Sequence, residues 1–261
     1  MATTQEEKGE MFRKLHEGPP FVIANAWDGG SARVLAAVGF QALATSSGAS
    51  AATLGKRDGE LTRDEALAHV ALIARSTDLP VAGDLENGFG VAPSDVMETI
   101  RLASDAGLVG GSIEDATGNP EHPIHEFDLA VERIEAAVQT VRTLSVPFVL
   151  TARCENFLRG RLDLADTIKR LQAYSRAGAD VLFAPGLPDL DAVRAVCSAV
   201  DKPVNFMVAI RGKSFSVREL ADAGVQRISL AGSLYRAALA SVREAALEVM
   251  RDGTFGYLER S

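Results

Sequence analysis

The stretch VAGDLENGFG, residues 81–90, follows STDLP and reads as an apolar strand that ends in acid. Asp84 and Glu86 stand two residues apart, so on a strand they project to the same face. Outward from this stretch the same unit recurs in both directions: a short apolar run, a small or polar tip, then a helical pattern. The strand candidates are FVIANAW (21–27), QALATSS (41–47), PVAGDLE (80–86), GGSIED (110–115), PFVLTAR (147–153), DVLFAPG (180–186), PVNFMV (203–208) and RISLAG (227–232). Helical stretches such as TRDEALAHVALIARSTD, PSDVMETIRLASDAG and FDLAVERIEAAVQTVRTL lie between them. Eight strands alternating with helices predict an α/β fold with a parallel sheet, and eight strands close a (β/α)8 TIM barrel. A doubly wound open sheet is the alternative.

The chain has 261 residues, close to the roughly 250 of such a barrel. No linker, low-complexity tract or charge block divides it, so residues 1–261 are expected to form a single barrel domain. The opening MATTQEEKGEMFRKLHEG reads as a short amphipathic helix. The net charge of −8 argues against a nucleic-acid or anionic-membrane partner. No apolar run approaches the roughly 18 residues of a membrane span. Cys154 and Cys197 give neither a disulfide framework nor zinc spacing, so a reducing cytoplasm is the expected location. An anionic substrate would need a cation or specific arginines to reverse the local charge.

Strand alternation sorts the side chains. One phase carries Thr45 and Ser47, Asp84 and Glu86, Ser112 and Glu114, Thr151 and Arg153, Asn205, and Ser229. The other carries Val81 and Leu85, Ile113, Leu150 and Cys154, Val181 and Phe183, Phe206, Ile228 and Leu230. The second set is expected under the helices and the first around the barrel axis, with its charges at the C-terminal rim where such barrels do chemistry. Asp84, Glu86 and Glu114 should then converge, within reach of Asp58 in the loop LGKRDGE. Crowded carboxylates repel unless protons or a cation intervene. Hard oxygen donors with room for water suit Mg²⁺, with Mn²⁺ as the substitute. The competing reading is an ion-pair network with Arg153.

At these residues the sequence resembles the isocitrate lyase/phosphoenolpyruvate mutase superfamily. The resemblance runs through NAWDGGSARVLAAVGFQALATSSGAS, LGKRDGELTRDEA, GDLENGFG, GGSIEDATG, LTARCENF and AGADVLFAPG, in that order. It implies a barrel, Mg²⁺, and small 2-oxo or 2-hydroxy dicarboxylate or phosphonate substrates in which a C–C or C–P bond breaks. It also implies homo-oligomers, dimers or tetramers, with the C-terminal helix exchanged between neighbours. By the same resemblance Asp84 is the direct metal ligand, and Glu86, Asp58 and Glu114 hold metal-bound water. Ser47, Gly48 and Ala49 form the loop that binds the substrate carboxylate and oxo group. Thr45 lines the pocket, at a position aromatic in other members, and Asn205 is a further substrate contact. Arg153 grips a substrate carboxylate, with Glu155 as its partner.

The departures bear on the reaction. Members that cleave isocitrate and methylisocitrate carry a lid cysteine after the fourth strand, whereas DATGNPEHPIHEFDLA contains none. Cys154 cannot replace it, because its phase turns it toward the helices. The lid does offer Glu121, His122 and His125, read as surface residues or as an acid–base pair. FAPG on the sixth strand also replaces the residues of the lyase and mutase branches. Retro-aldol cleavage needs a proton shuttle, whereas decarboxylation leaves an enolate without one. The expected activity is therefore a Mg²⁺-dependent lyase or decarboxylase of a small 2-oxo or 2-hydroxy acid, in which Arg153, Glu114 and Asp58 are the catalytic candidates. The alternatives are phosphoenolpyruvate phosphonomutase or phosphonopyruvate hydrolase chemistry, and a non-catalytic 2-oxo-acid-binding protein.

Other features read as bland. GDLENGFG is not a dinucleotide-binding glycine motif. Lys56, Arg57 and Arg63 could bind a phosphonate or be solvated charges, and Arg159 and Arg161 could neutralise a substrate or stand exposed. His16 and His69 fall in helical patterns. No lysine sits on an inward phase, which argues against Schiff-base chemistry.

Overall fold

The computed structural model describes residues 3–260; Met1 and Ala2 of the N-terminal helical pattern, and Ser261 of the tail, lie outside the described residues. All eight expected strands form: β1 Phe21–Asn25, β2 Leu43–Ala44, β3 Val81–Asp84, β4 Gly110–Glu114, β5 Val149–Arg153, β6 Val181–Phe183, β7 Val204–Met207 and β8 Arg227–Ser229. They pair in chain order, all parallel, and β8 returns to β1 with Arg227 opposite Phe21. That last pairing closes the barrel and excludes the open sheet.

The helices are α1 Gln5–Leu15, α2 Gly29–Val38, α3 Ser47–Thr53, α4 Arg63–Ala74, α5 Pro93–Asp105, α6 Phe127–Val141, α7 Leu164–Ala177, α8 Leu190–Ala199, α9 Val217–Asp222 and α10 Ser233–Asp252, followed by a 3-10 turn, Gly256–Arg260. Thr4, Thr62 and Ser216 start α1, α4 and α9 with capping boxes, each closed by a glutamate three residues on. Leu85, Ile113, Leu150, Cys154, Phe206 and Ile228 lie in the layer between sheet and helices, packed with Ile73, Ile100, Ile134 and Leu171. The outward phase is therefore as expected on these strands.

On β6 the phase is reversed. Val181 joins Phe12, Phe21, Ile23, Val109 and Val149 in a separate cluster inside the N-terminal end of the barrel, and Phe183 lines the interior, while Leu182 faces the helices. Both phases of this strand are apolar, so alternation alone gives it no sign. Helix α1 plugs the base with Phe12, and a β-carbon at Gly110 would lie 2.7 Å from the Phe12 ring, so only glycine leaves room for the plug. Strand β2 is only two residues long. Ser47, read as a strand tip or loop residue, instead opens α3.

Candidate active site

Three neighbouring strands end in charge. Asp84, Glu114 and Arg153 are the last residues of β3, β4 and β5, with Glu114 directly opposite Arg153 in the register. Beyond β3 the chain stays against β4: the Leu85 N–H donates to Ser112 O, and the Glu114 N–H donates to Glu86 O. Glu86 then turns with φ of 48°, a strained region for a side-chain-bearing residue, which marks a position set by its surroundings. Arg133 of α6 holds the turn by donating to the carbonyls of Gly90 and Val91, at 2.8 and 2.6 Å, and of Asn87.

Arg153 sits at the centre of the acids. Its Nε donates to Glu155 Oε1 at 2.6 Å, and Nη1 lies 3.3 Å from Glu114 Oε2 and 3.6 Å from Asp84 Oδ1. Phe183 covers the guanidinium from below at 5.2 Å, which is what the inward turn of this ring achieves. Burial alone would lower Arg153, but Glu114, Glu155 and Asp84 raise it, so it stays charged. The ion-pair reading is thus met for Asp84 and Glu114. It is not met for Glu86 and Asp58, which form no ion pair among the described residues.

The charge balance remains negative. Burial first, then repulsion from Asp84 and Asp58, pushes Glu86 up to about 7. Burial likewise raises Glu114 well above the carboxylate range, with Glu155 and Asp84 adding to it against the opposing pull of Arg153. These donors are all hard oxygens, and the excess negative charge suits a divalent cation. The acids do not form a closed cage: among the described residues no group of three His, Cys, Asp or Glu side chains is gathered to hold a metal on its own.

Asp58 reaches the rim, since a β-carbon on Gly48 would lie 3.4 Å from its carboxyl carbon. Ser47, Gly48 and Ala49 form the first turn of α3, and the Ser47 N–H donates to Asp84 Oδ2. Ser47, Asp58, Glu86, Glu114 and Arg153 line one open cleft of about 840 Å³. Below it a smaller cavity of about 70 Å³ is lined by Thr45, Asp84, Ser112, Thr151, Asn205 and Ser229. The Thr45 hydroxyl is committed to β3, where it accepts the Asp84 N–H at 2.9 Å.

Some site residues escaped the sequence reading. Arg159, for which both readings were open, is exposed and also lines the cleft: Nε donates to Glu155 Oε2 at 3.0 Å and Nη2 to Glu114 Oε1 at 3.4 Å. Arg63 also lines the cleft, whereas Lys56 and Arg57 pair with Glu65 and Glu60. Arg227 lies in the barrel interior, and the alternation that puts Ser229 inside puts it there too. The post-β4 segment contributes Thr117 and Gly118 to the cleft. Glu121 and His122 are exposed, and His125 is buried, none of them lining the cleft. Cys154 is buried under the helices, away from the cleft lining, and burial pushes its thiol far up.

The profile of the phosphoenolpyruvate phosphomutase family matches residues 12–250. The chain belongs to this family. Among members of the wider phosphomutase and lyase group, a 2-methylisocitrate lyase of Escherichia coli K12 is 32% identical over 240 residues, covering 88% of this chain and 80% of that protein. An oxaloacetate decarboxylase of Paraburkholderia xenovorans is 31% identical, over 89% of this chain and 78% of its own. A crystal structure from Burkholderia cenocepacia J2315, described as a lyase/mutase, is 53% identical with a TM-score of 0.95, over 98% of this chain and 92% of its own. Family membership thus joins a closed barrel to an acid-rich rim.

Proposed function

We propose that this phosphomutase-family chain is a divalent-cation-dependent carbon–carbon lyase or decarboxylase of a small 2-oxo or 2-hydroxy (di)carboxylic acid. The observation that carries the reading is the surplus of carboxylates over arginines at the C-terminal rim, with Glu86 held up to about 7. Asp84 would hold Mg²⁺ directly, and Glu86, Asp58 and Glu114 would hold its water. When bound, the cation supplies positive charge beside the negative charge that builds on the substrate oxygens.

The remaining work falls to the chain. With the Ser47 N–H already donating to Asp84 Oδ2, the backbone N–H groups of Gly48 and Ala49 in the first turn of α3 would donate to a substrate carboxylate oxygen, with the Ser47 side chain beside them on the cleft wall. Arg153 has two nitrogens occupied by Glu155, Glu114 and Asp84, which leaves Nη2 for the substrate. Asn205 would donate from below. The lid segment between β4 and α6 has no cysteine, and the histidines stand away from the cleft. Decarboxylation fits such a site better than retro-aldol cleavage, because carbon dioxide leaves without a base.

A second reading, C–P bond chemistry on a phosphonate, is favoured by the family that the chain matches and by Arg63 on the cleft wall. Oxaloacetate and phosphonopyruvate assayed side by side with Mg²⁺ separate the two. Turnover of oxaloacetate supports the first reading, and turnover of phosphonopyruvate alone replaces it. Saturable binding of either without turnover would make the protein a binder and defeat both.

A further inference from the structure

Beneath the acid rim lies a cation that the proposed chemistry does not use. Arg227, the first residue of β8, is 6% exposed and forms no ion pair among the described residues. Its Nε donates to Asn205 Oδ1 at 2.8 Å, Nη2 to Thr151 Oγ1 at 2.9 Å, and Nη1 reaches His16 Nε2 at 3.2 Å. All three acceptors are neutral. A buried charge without a counter-charge is costly, and burial pulls this guanidinium down to about 9.

The partners fix one another's polarity. His16 Nδ1 lies 2.8 Å from Phe12 O and must carry the proton, which leaves Nε2 as the acceptor for Arg227. Asn205 Oδ1 must face Arg227, because a flipped amide would set its NH₂ against another N–H donor. Nδ2 is thereby held on the far side, where one hydrogen goes to Ser229 Oγ at 3.0 Å and the other stays available. Thr151 accepts from Arg227, so its hydroxyl hydrogen is also free to donate. Two of the five guanidinium hydrogens remain as well. These groups line the cavity of about 70 Å³ that also touches Asp84 and Arg153.

We propose that Arg227 is a positioning residue that turns the Asn205 amide and the Thr151 hydroxyl, together with its own remaining N–H groups, into a set of donors at the barrel floor for an oxygen of the substrate carboxylate. This rests on the proposed function only for the identity of the ligand. An ammonium or amide N–H placed against these three groups would meet donors in place of acceptors.

The test is Asn205→Asp, an isosteric change with opposite effects on fold and ligand. One carboxylate oxygen would pair with the buried Arg227, and the other would replace the N–H aimed into the cavity. The thermal midpoint should rise by about 4 °C or more, while calorimetric affinity for oxalate with Mg²⁺ falls at least about tenfold. Arg227→Lys keeps the charge but loses the fork; it should also weaken oxalate about tenfold, and raise KM for oxaloacetate more than it lowers kcat. A lowered midpoint in Asn205→Asp overturns the arrangement whether or not oxalate binds. Unchanged oxalate affinity in both variants overturns the recognition. If the wild-type protein binds no oxalate, the proposed function fails, and the midpoint alone decides the role of Arg227.

Discussion

The backbone N–H of Ser47 donates to Asp84 Oδ2 at 3.1 Å. The bond joins the first turn of α3 to the end of β3, and the Asp84 N–H is tied back to Thr45 at 2.9 Å. Asp84 is thus held by the β2–α3 connection at both its carboxylate and its N–H while Arg153 stands 3.6 Å away. A carboxylate so fixed is pre-oriented for a cation, and its removal should be felt in turnover before stability. Asp84→Ala is expected to reduce Mg²⁺-dependent turnover by about 100-fold or more, with an unchanged circular dichroism spectrum. Turnover within a few-fold of wild type would remove Asp84 from the chemistry.

Stability should pass through a maximum in mildly acidic solution. Glu86 is raised from 4.5 to about 7 in the fold, so the folded state keeps its proton longer than the unfolded chain. Its contribution is intact below about pH 4.5 and is lost as pH rises toward 7. His16 is lowered from 6.5 to about 3 by burial, then by Arg227. Its contribution is intact above pH 6.5 and is lost as pH falls toward 3. In thermal melts without added divalent cation, Glu86→Gln should flatten the alkaline limb and raise the midpoint at pH 8. His16→Gln, which keeps an acceptor for Arg227, should flatten the acid limb. A Glu86→Gln curve that overlays wild type at pH 8 would contradict the repulsion at the rim.

The fold was legible because each strand carries its own label. Apolar runs ending in Asp84, Glu114 and Arg153 announce both the strand and its direction, since charge in such a barrel gathers at the C-terminal mouth. Where a strand lacks such a label the reading loses its sign, as at β6, where Val181 and Leu182 are equally apolar and Phe183 turned out to cover Arg153. For Arg159 the sequence left two readings open, because it sits in the loop after β5 and no periodicity links a loop residue to Glu114 or Glu155. Arg227 was hidden by its place at the strand entrance, where an arginine ordinarily reads as solvated. Inside the barrel it survives because Asn205, Thr151 and His16 arrive from three other elements.

Cys154 tests strand phase against chemistry. It belongs to the layer between sheet and helices, with Leu150 and Leu171, and not to the cleft. Cys154→Ser should leave kcat within about threefold while costing roughly 1–3 kcal/mol of stability, because a hydroxyl enters an apolar layer. Chemical denaturation and steady-state kinetics on the same sample separate these effects. Loss of turnover in a fully folded variant would place the thiol in the reaction.

Helix α10 makes the strongest case for a second copy. It runs 20 residues, yet none of them is buried. Leu239, Val242 and Met250 are 47, 63 and 82% exposed, and Phe255 beyond the helix is 57% exposed. Val242, Ala245, Ala246 and Val249 line a groove closed on one side by Tyr257. Its first turn rests on the barrel through Leu234 and Tyr235, but a long helix whose later apolar stripe is left largely open needs a partner surface, and the exchanged terminal helix that the family resemblance implies would provide it. Sedimentation should therefore show a dimer or tetramer, and Val242→Asp combined with Met250→Asp should shift it to smaller species at equal concentration. Because the rim acids belong to the barrel, the dissociated form should keep its circular dichroism spectrum. A wild-type monomer at tens of micromolar would leave α10 without the partner argued for it.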